Sequence, residues 1–420
     1  MTSSAARESA ANPGGGLYSA PPDPEWQLPS APASLSPAVQ RRLVSRRGLL
    51  LGGGLATLLT ACDWGRSSPQ PDVSTADMSS VEKVVNWSNW PDYIDAGSDL
   101  GDYPTLQEFS AQTGIRINYT TDYYDNEQFV VPAMRALKRG QQLARDVWCS
   151  TDWIVSRLIR EGCLLPLRIE NIPDSENLQP SLEKAPFDPG RRYSLPWQSG
   201  FTGIGYNPKA AGGIVESVEQ LFTDDHLKGK VTLLTDVGDT VGLTMLSMGI
   251  DPATFTAAQF TQAMGRLTEV KASGQLKGFT GNEYISGLAS GQIAACFAYS
   301  GDMVQLQAEN PDLGFTLPSA GHIVWSDNFV IPRYARHRTN AETLINFYYD
   351  PKVMAQVEDW VNYISPVVGS REALLKSDPD VANNELIFPS SAILARSHPF
   401  RGFTAEEDRT LNAAFSELIK

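Results

Sequence analysis

The feature that most constrains this chain is a regular alternation of short apolar runs and helix-like segments from about residue 81 onward. Residues 84–87 are typical of a buried strand, and residues 105–113 have helical spacing that ends at Gly114. The same patterns predict strands at 115–119, 146–149, 231–234 and 293–299, and helices at 127–138, 152–161 (capped by Asp152), 256–273, 282–290 and 405–419. This alternation predicts an α/β fold with mixed, mostly parallel sheets, whose binding residues follow the C-terminal ends of strands.

Length and charge set the next limits. The chain has 420 residues, too many for one ordinary core and enough for two domains, and we find no internal repeat. The formal net charge is -14; residues 1–61 contain five Arg and three acidic residues, so the remainder carries about -16. An acidic surface disfavours nucleic acid and mildly attracts cationic solutes, although solubility alone also accounts for such charge. We therefore expect no nucleic-acid partner.

The N-terminus has the pattern of an export signal. Residues 1–40 are rich in Ala, Pro, Ser and Gly and are predicted to be disordered. The basic segment 41–47 precedes an apolar run, residues 48–61, that is only 14 residues long, whereas a membrane span needs about 20. A basic flank before a short apolar run predicts a signal peptide. Its segment 45–50 resembles the twin-arginine export motif, although Arg pairs also occur in ordinary signals.

A cysteine stands at the end of this apolar run. Leu59-Thr60-Ala61-Cys62 resembles the bacterial lipobox, in which the cysteine thiol accepts diacylglycerol. The resemblance implies that residues 1–61 are removed, that Cys62 is lipidated, and that residues 62–81 form a lipidated tether. We therefore expect a protein exported and anchored to the outer face of the cytoplasmic membrane.

The remaining cysteines and the histidines give no sign of a metal or cofactor. Cys149, Cys163 and Cys296 are an odd number, so at least one is unpaired; a Cys149–Cys163 bridge and buried free thiols are the two alternatives. The four His are scattered without metal-ligand spacing. The sequence contains no G-x-S-x-G, H-E-x-x-H or P-loop motif. We therefore expect neither an enzyme nor a bound cofactor or metal.

Several segments, taken together and in order, carry a family resemblance. Asn89-Trp90-Pro91-Asp92-Tyr93-Ile94 is similar to an N-W-x-x-Y motif after a first strand. The other matching segments are 146–153, 184–189, 193–197, 228–236, 325–332 and 344–347. From about residue 81 to residue 420 the chain resembles the periplasmic spermidine/putrescine-binding proteins of ABC transporters. The resemblance implies a monomeric, type II periplasmic-binding-protein-like fold that delivers a polyamine to permease subunits.

The same resemblance implies two lobes with the solute between them. Lobe 1 is expected at 82–200 plus 326–371, and lobe 2 at 201–325 plus 372–420. The family's aromatic box falls on Trp90, Tyr93, Trp153, Tyr299 and Trp325. Asp327 falls on the carboxylate for a terminal amine, with an Arg of the same chain as the alternative partner, and Thr151 falls on a small hydroxyl position.

One position departs from the family pattern. Thr240 stands where the spermidine binders have Glu, and its neighbour Asp239 is our candidate for the second carboxylate. A polyamine needs aromatic faces for its methylenes and ammonium groups and carboxylates for its charged ends. Three other interpretations remain open: a different small cationic or amine-containing solute, a receptor that feeds a signalling partner, and ferric iron bound through Tyr123 and Tyr124.

Overall fold

The computed structural model describes residues 76–97 and 101–420. The predicted signal peptide, the predicted lipidation site Cys62 and most of the predicted tether lie outside these residues. Within the described part, no helix combines the length and the apolar character needed to cross a bilayer.

In the described part of the chain, ten strands form one sheet. They are β1 Val84–Ser88, β2 Arg116–Thr120, β3 Val147–Thr151, β4 Ser194–Tyr206, β5 Val231–Leu234, β6 Leu276–Thr280, β7 Ala295–Tyr299, β8 Gly314–Thr316, β9 His322–Val330 and β10 Ser397–Pro399. Their order is β2-β1-β3-β9-β4-β7-β5-β6, with β10 beside β9 and β8 beside β4. The pairs among β1, β2 and β3, and those among β5, β6 and β7, are parallel, whereas β4 and β9 run antiparallel to their neighbours on this path.

Helices fill the connections between strands. They are α1 Pro104–Thr113, α2 Asn126–Lys138, α3 Asp152–Arg160, α4 Pro208–Ala211, α5 Val218–Thr223, α6 Val237–Ser247, α7 Ala257–Ala272, α8 Tyr284–Ser290, α9 Ser300–Glu309, α10 Arg338–Tyr348, α11 Pro351–Val361, α12 Ser370–Ser377, α13 Pro379–Ala382, α14 Ser391–Leu394, α15 Ala405–Glu407 and α16 Ala413–Leu418. A π-helical segment, Asp408–Asn412, separates α15 from α16 and interrupts the single helix predicted there.

Local sequence explains where several helices begin and end. Gly114 closes α1 in the left-handed conformation at φ 70, as its predicted C-cap position requires. Thr256 and Gln259 form a reciprocal capping box at the start of α7. The prediction that Asp152 caps α3 is wrong. Thr151 holds the cap position, and the Asp152 carboxylate instead accepts hydrogen bonds from Ser326 N–H and the Asn328 amide of β9.

Buried apolar side chains form two large clusters. One joins α10 and α11 to β1 and the start of β4, and contains Val85, Trp87, Trp197 and Phe329. The other covers β5 and β7 and extends to α3. The cysteines Cys149, Cys163 and Cys296 are free and buried within these clusters, so the Cys149–Cys163 bridge is not formed. The strands β4 and β9 pass through both clusters, while the predicted lobe boundaries stay a prediction.

Candidate functional site

The carboxyl ends of two sets of parallel strands converge on the middle of β4 and β9. Thr151, at the end of β3, pairs with Asp327 of β9. Tyr299, at the end of β7, pairs with Thr202 of β4. Because helices begin directly after these strands, the backbone turns there and side chains near the turn face this region.

Asp327 lies at the centre of this region and is 6% exposed. Its Oδ1 accepts a hydrogen bond of 2.8 Å from the Thr151 hydroxyl, and its Oδ2 accepts one of 3.0 Å from the Tyr93 hydroxyl. Burial raises the pKa of Asp327 to about 7, and the charges of Asp152 and Asp236 add to this, while the two hydrogen bonds oppose it. The predicted residues Tyr93, Thr151 and Asp327 are thus in direct contact.

Asp236, which the sequence analysis did not single out, is a second carboxyl of the site. It follows β5 and caps α6, accepting from Gly238 N–H at 2.8 Å. Its Oδ2 also accepts hydrogen bonds of 3.1 Å from Trp153 Nε1 and from the Asn126 amide. Burial raises the pKa of Asp236. An acidic residue between a buried strand and a helix was the available signal, but it equally fits a simple helix cap.

Asp239, the predicted second carboxylate, is a third buried carboxyl in this region. It is buried one turn into α6 and accepts hydrogen bonds from the hydroxyls of Thr202 and Tyr299, the latter at 3.1 Å. Burial, followed by the nearby charge of Asp236, raises the pKa of Asp239 well above its usual range. We refer to Asp236, Asp239 and Asp327 as the carboxylate cluster.

Thr240 does not share this environment with its neighbour. It is fully buried in α6, and its hydroxyl donates a hydrogen bond of 2.7 Å to the carbonyl of Leu234. The side chain is therefore satisfied within its own part of the chain, while Asp239 extends toward Tyr299.

Aromatic rings border the cluster. Trp325 packs edge-on against Tyr299, with ring centroids 5.4 Å apart, and its Nε1 donates to Thr202 at 3.0 Å. The sequence did not predict Tyr363 as a site residue. Its ring centroid lies 5.5 Å from that of Trp325 and 5.4 Å from that of Tyr93. Tyr363 follows α11 in a turn, so only tertiary packing brings it here.

Trp90 and Trp153 also pack against side chains outside the carboxylate cluster. Trp90 packs on Tyr123 with a centroid separation of 4.3 Å, and its buried Nε1 has no hydrogen-bond partner within residues 76–97 and 101–420. Trp153 is 5% exposed and has the Arg157 guanidinium 5.1 Å from its ring centroid. Trp153 therefore offers the cluster mainly its Nε1–H edge.

Among the residues that the structure describes, no basic side chain neutralises the carboxylate cluster. In the described part of the chain, the side-chain partners of its carboxyls are hydroxyl, indole and amide groups, and no Lys or Arg forms an ion pair with them. The alternative in which an Arg of this chain pairs with Asp327 is therefore not realised in these residues. Three carboxyls among neutral donors and aromatic rings create a site that favours a cation.

The ferric-iron interpretation finds no support in the geometry. Tyr123 is fully buried and its hydroxyl bonds to Asn126 at 2.8 Å, whereas Tyr124 is 71% exposed. The two phenols therefore do not share one environment. Within the residues that the structure describes, no group of three His, Cys, Asp or Glu side chains could hold a metal ion.

Known proteins are similar to this chain over most of its length. The spermidine/putrescine-binding periplasmic protein 1 of Haemophilus influenzae is 25% identical over 351 residues, covering 84% of this chain and 92% of that protein. The putrescine-binding periplasmic protein SpuD of Pseudomonas aeruginosa is also 25% identical, covering 82% of this chain and 95% of its own.

Solved structures of other proteins have a similar fold. A protein described as a spermidine/putrescine ABC transporter from Listeria monocytogenes superposes with a TM-score of 0.70 at 25% identity, covering 80% of this chain and 99% of its own. A lipoprotein of Treponema pallidum has the same fold, with a TM-score of 0.67 at 22% identity, covering 80% of this chain and 99% of its own. These matches confirm the predicted α/β fold of the type II periplasmic binding proteins.

The family assignment rests on a match of more than half of the chain. The family model for bacterial extracellular solute-binding proteins matches residues 105–389. This match confirms the resemblance drawn from the ordered motifs. The chain belongs to the bacterial extracellular solute-binding protein family.

Proposed function

We propose that this chain is the substrate-binding lipoprotein of an ABC importer and that it captures a polyamine of the putrescine or spermidine type between two lobes. The observation that carries this proposal is the carboxylate cluster, which lies buried beside Tyr93, Tyr299 and Trp325 without a basic partner in the described residues. The names of the relatives from Haemophilus influenzae and Pseudomonas aeruginosa support the same solute class.

The chemistry of the cluster suits an alkyl chain with a positive charge at each end. Asp327 is positioned to take one ammonium, and Asp239, with Asp236 beside it, the distal one. Each charge-assisted hydrogen bond contributes roughly 1.5–3 kcal/mol. Trp325 and Tyr299 cover the methylenes, and each cation–π contact adds about 0.5–2 kcal/mol.

The remaining parts of the proposal follow from the family and from the N-terminal sequence. In it, residues 82–200 plus 326–371 form lobe 1, and 201–325 plus 372–420 form lobe 2. Lipid on Cys62 anchors a monomer to the outer face of the cytoplasmic membrane, where it delivers solute to the permease subunits. The chain binds its solute without catalysing a reaction.

Titration calorimetry tests the solute class. The mature protein is titrated with putrescine, cadaverine, spermidine, spermine and agmatine. We expect at least one of them to bind with submillimolar affinity. If none does, the polyamine assignment fails even though the fold and family stand. Binding of a different small cation would favour the alternative of another cationic or amine-containing solute. Recovery of a signalling partner in place of a permease would favour the alternative of a receptor.

A further inference from the structure

Glu358 is a buried carboxyl that the proposed binding chemistry does not use. It lies in the last turn of α11 with no exposed surface, and neither of its side-chain oxygens has a hydrogen-bond partner among the described residues. The donors near its carboxyl, namely the side chains of Gln198 and Ser365 and the N–H of Tyr363, are uncharged and act to lower its pKa, but among the described residues none of them meets the geometry of a hydrogen bond. Burial raises the pKa of Glu358 well above its usual range. A buried carboxylate without a cation is costly, which favours the neutral acid over the carboxylate.

Gln198 is a second buried residue with an unpaired side-chain acceptor in the described part of the chain. It is fully buried in β4, and its Oε1 also lacks a hydrogen-bond partner within the described residues. Its Nε2 lies 3.8 Å from the sulfur of Met354, which stands one helical turn before Glu358 on α11. A proton on one Glu358 oxygen would let that oxygen and Gln198 Oε1 form a hydrogen bond with each other. A carboxylic acid can provide that proton, whereas an amide oxygen cannot.

Gln198 places this pair beside the carboxylate cluster. Gln198 is the strand partner of Asp327. The next residue, Ser199, exchanges two backbone hydrogen bonds with Ile364, of 3.0 and 2.7 Å. Tyr363 precedes Ile364, and its hydroxyl donates a bond of 2.7 Å to Asp302. Glu358 and Gln198 thus join β4 to the turn that places the Tyr363 ring against Trp325.

We propose that Glu358 is a positioning residue that stays protonated and donates its O–H to Gln198 Oε1, which fixes the turn carrying Tyr363 against β4. Its expected effect on polyamine affinity rests on the proposed function. The protonation of Glu358 and the placement of Tyr363 do not depend on that function and can be measured without ligand.

Infrared difference spectroscopy tests the protonation. Subtracting the spectrum of Glu358→Gln from that of the wild type at pH 7.5 is expected to isolate the carbonyl stretch of a protonated carboxylic acid. Glu342→Gln is the matched control, because Glu342 is equally buried but bonds to Arg168 and Arg338. Carboxylate bands in the Glu358 difference spectrum would overturn the proposal, since Gln198 would then be the donor.

Near-ultraviolet circular dichroism of the ligand-free proteins tests the positioning. Glu358→Gln keeps a donor and is expected to match the wild type, whereas Glu358→Ala is expected to change the aromatic signal. If Glu358→Ala does not fold, the double variant Glu358→Ala with Gln198→Met is measured instead, because it also removes the Gln198 amide oxygen that would otherwise be buried without a donor. An unchanged signal in the alanine variants would show that Glu358 does not position Tyr363.

Affinity supplies the last readout. We expect at least tenfold weaker polyamine binding in the alanine variants and less than threefold weaker binding in Glu358→Gln. Equal affinity of the alanine variants and the wild type contradicts the positioning role. If the wild type binds no polyamine, the proposed function fails, and the two ligand-free spectra alone decide the role of Glu358.

Discussion

Trp153 Nε1 donates a hydrogen bond of 3.1 Å to Asp236 Oδ2, which links the helix that follows β3 to the helix that follows β5. The Asn126 amide reaches the same oxygen at 3.1 Å and also contacts the Thr151 hydroxyl. Through Thr151 this network extends to Asp327. Asp236 therefore belongs to the same connected set of groups as the residues predicted from the sequence.

Asp236→Asn is expected to weaken polyamine binding by about tenfold, or 1.4 kcal/mol. The substitution removes the negative charge from the cluster and keeps a helix cap, but its NH2 cannot accept from Trp153 Nε1 and the Asn126 amide, so the melting temperature is also expected to fall. Calorimetric titration and a thermal melt measure the two effects. Asp350→Asn is the control, because Asp350 caps α11 in the same way and lies outside the cluster. Equal affinities of wild type and Asp236→Asn would remove Asp236 from the site.

Asp239 and its neighbour Thr240 are expected to respond differently to substitution. Asp239→Asn is expected to weaken the best polyamine more than tenfold, because its carboxyl, bonded to Tyr299 and Thr202, is our candidate for the distal amine. Thr240→Val is expected to lower the melting temperature and leave affinity nearly unchanged, since its hydroxyl bonds to the Leu234 carbonyl. The contrary pattern would show that Thr240 takes the family's second-carboxylate position.

Polyamine affinity is expected to fall as the pH falls from 8 to 6. In the empty site the pKa of Asp327 is about 7, chiefly because the group is buried, so the carboxyl is mostly neutral at pH 6. An ammonium binds the ionised form and itself stays charged, because amines of the lysine type titrate near about 10.4. Binding therefore releases a proton, and affinity is expected to drop at least about tenfold over this interval.

Titrations in two buffers of different ionisation enthalpy measure this proton release directly. Asp327→Asn serves as the comparison and is expected to show a weaker pH dependence. Affinity that is independent of pH in the wild type would mean that Asp327 is already ionised in the empty site.

Membrane attachment is expected to depend on Cys62. Cys62→Ala removes the thiol that accepts diacylglycerol in the proposed lipobox, so the protein is expected to move from the membrane fraction to the soluble fraction or the medium. Fractionation and immunoblotting of cells expressing either form measure this. A Cys149→Ala variant, which changes a buried free thiol, is the control and is expected to stay with the membrane. A membrane-bound Cys62→Ala variant would contradict lipid anchoring.

Sequence patterns predicted strands β1, β2, β3, β5 and β7 but not the central strands β4 and β9, and they predicted the site only in part. Strands β3, β5 and β7 were predictable because their buried runs are followed by residues that start helices. The prediction for Asp152 failed because its carboxylate bonds to β9, which is distant in sequence. Asp236 was not predicted as a site residue because its sequence position fits an ordinary helix cap. Tyr363 was not predicted because it lies in a turn that only tertiary packing brings to Trp325. Contacts of this kind depend on the strand order, which one sequence does not reveal.

The most direct test of the central claim is titration of wild type and Asp327→Asn with the five amines, alongside thermal melts. Removing one partner of a buried charge pair costs about 3–5 kcal/mol, so the variant is expected to bind two to three decades more weakly. Its fold is expected to persist, because the asparagine oxygen keeps one of the two hydroxyl donors, and the other hydroxyl can rotate to accept from the new amide N–H. Asp312→Asn, at an exposed ion pair with Lys209, is the control and is expected to bind like the wild type. Equal polyamine affinity of wild type and Asp327→Asn would contradict this account of the site.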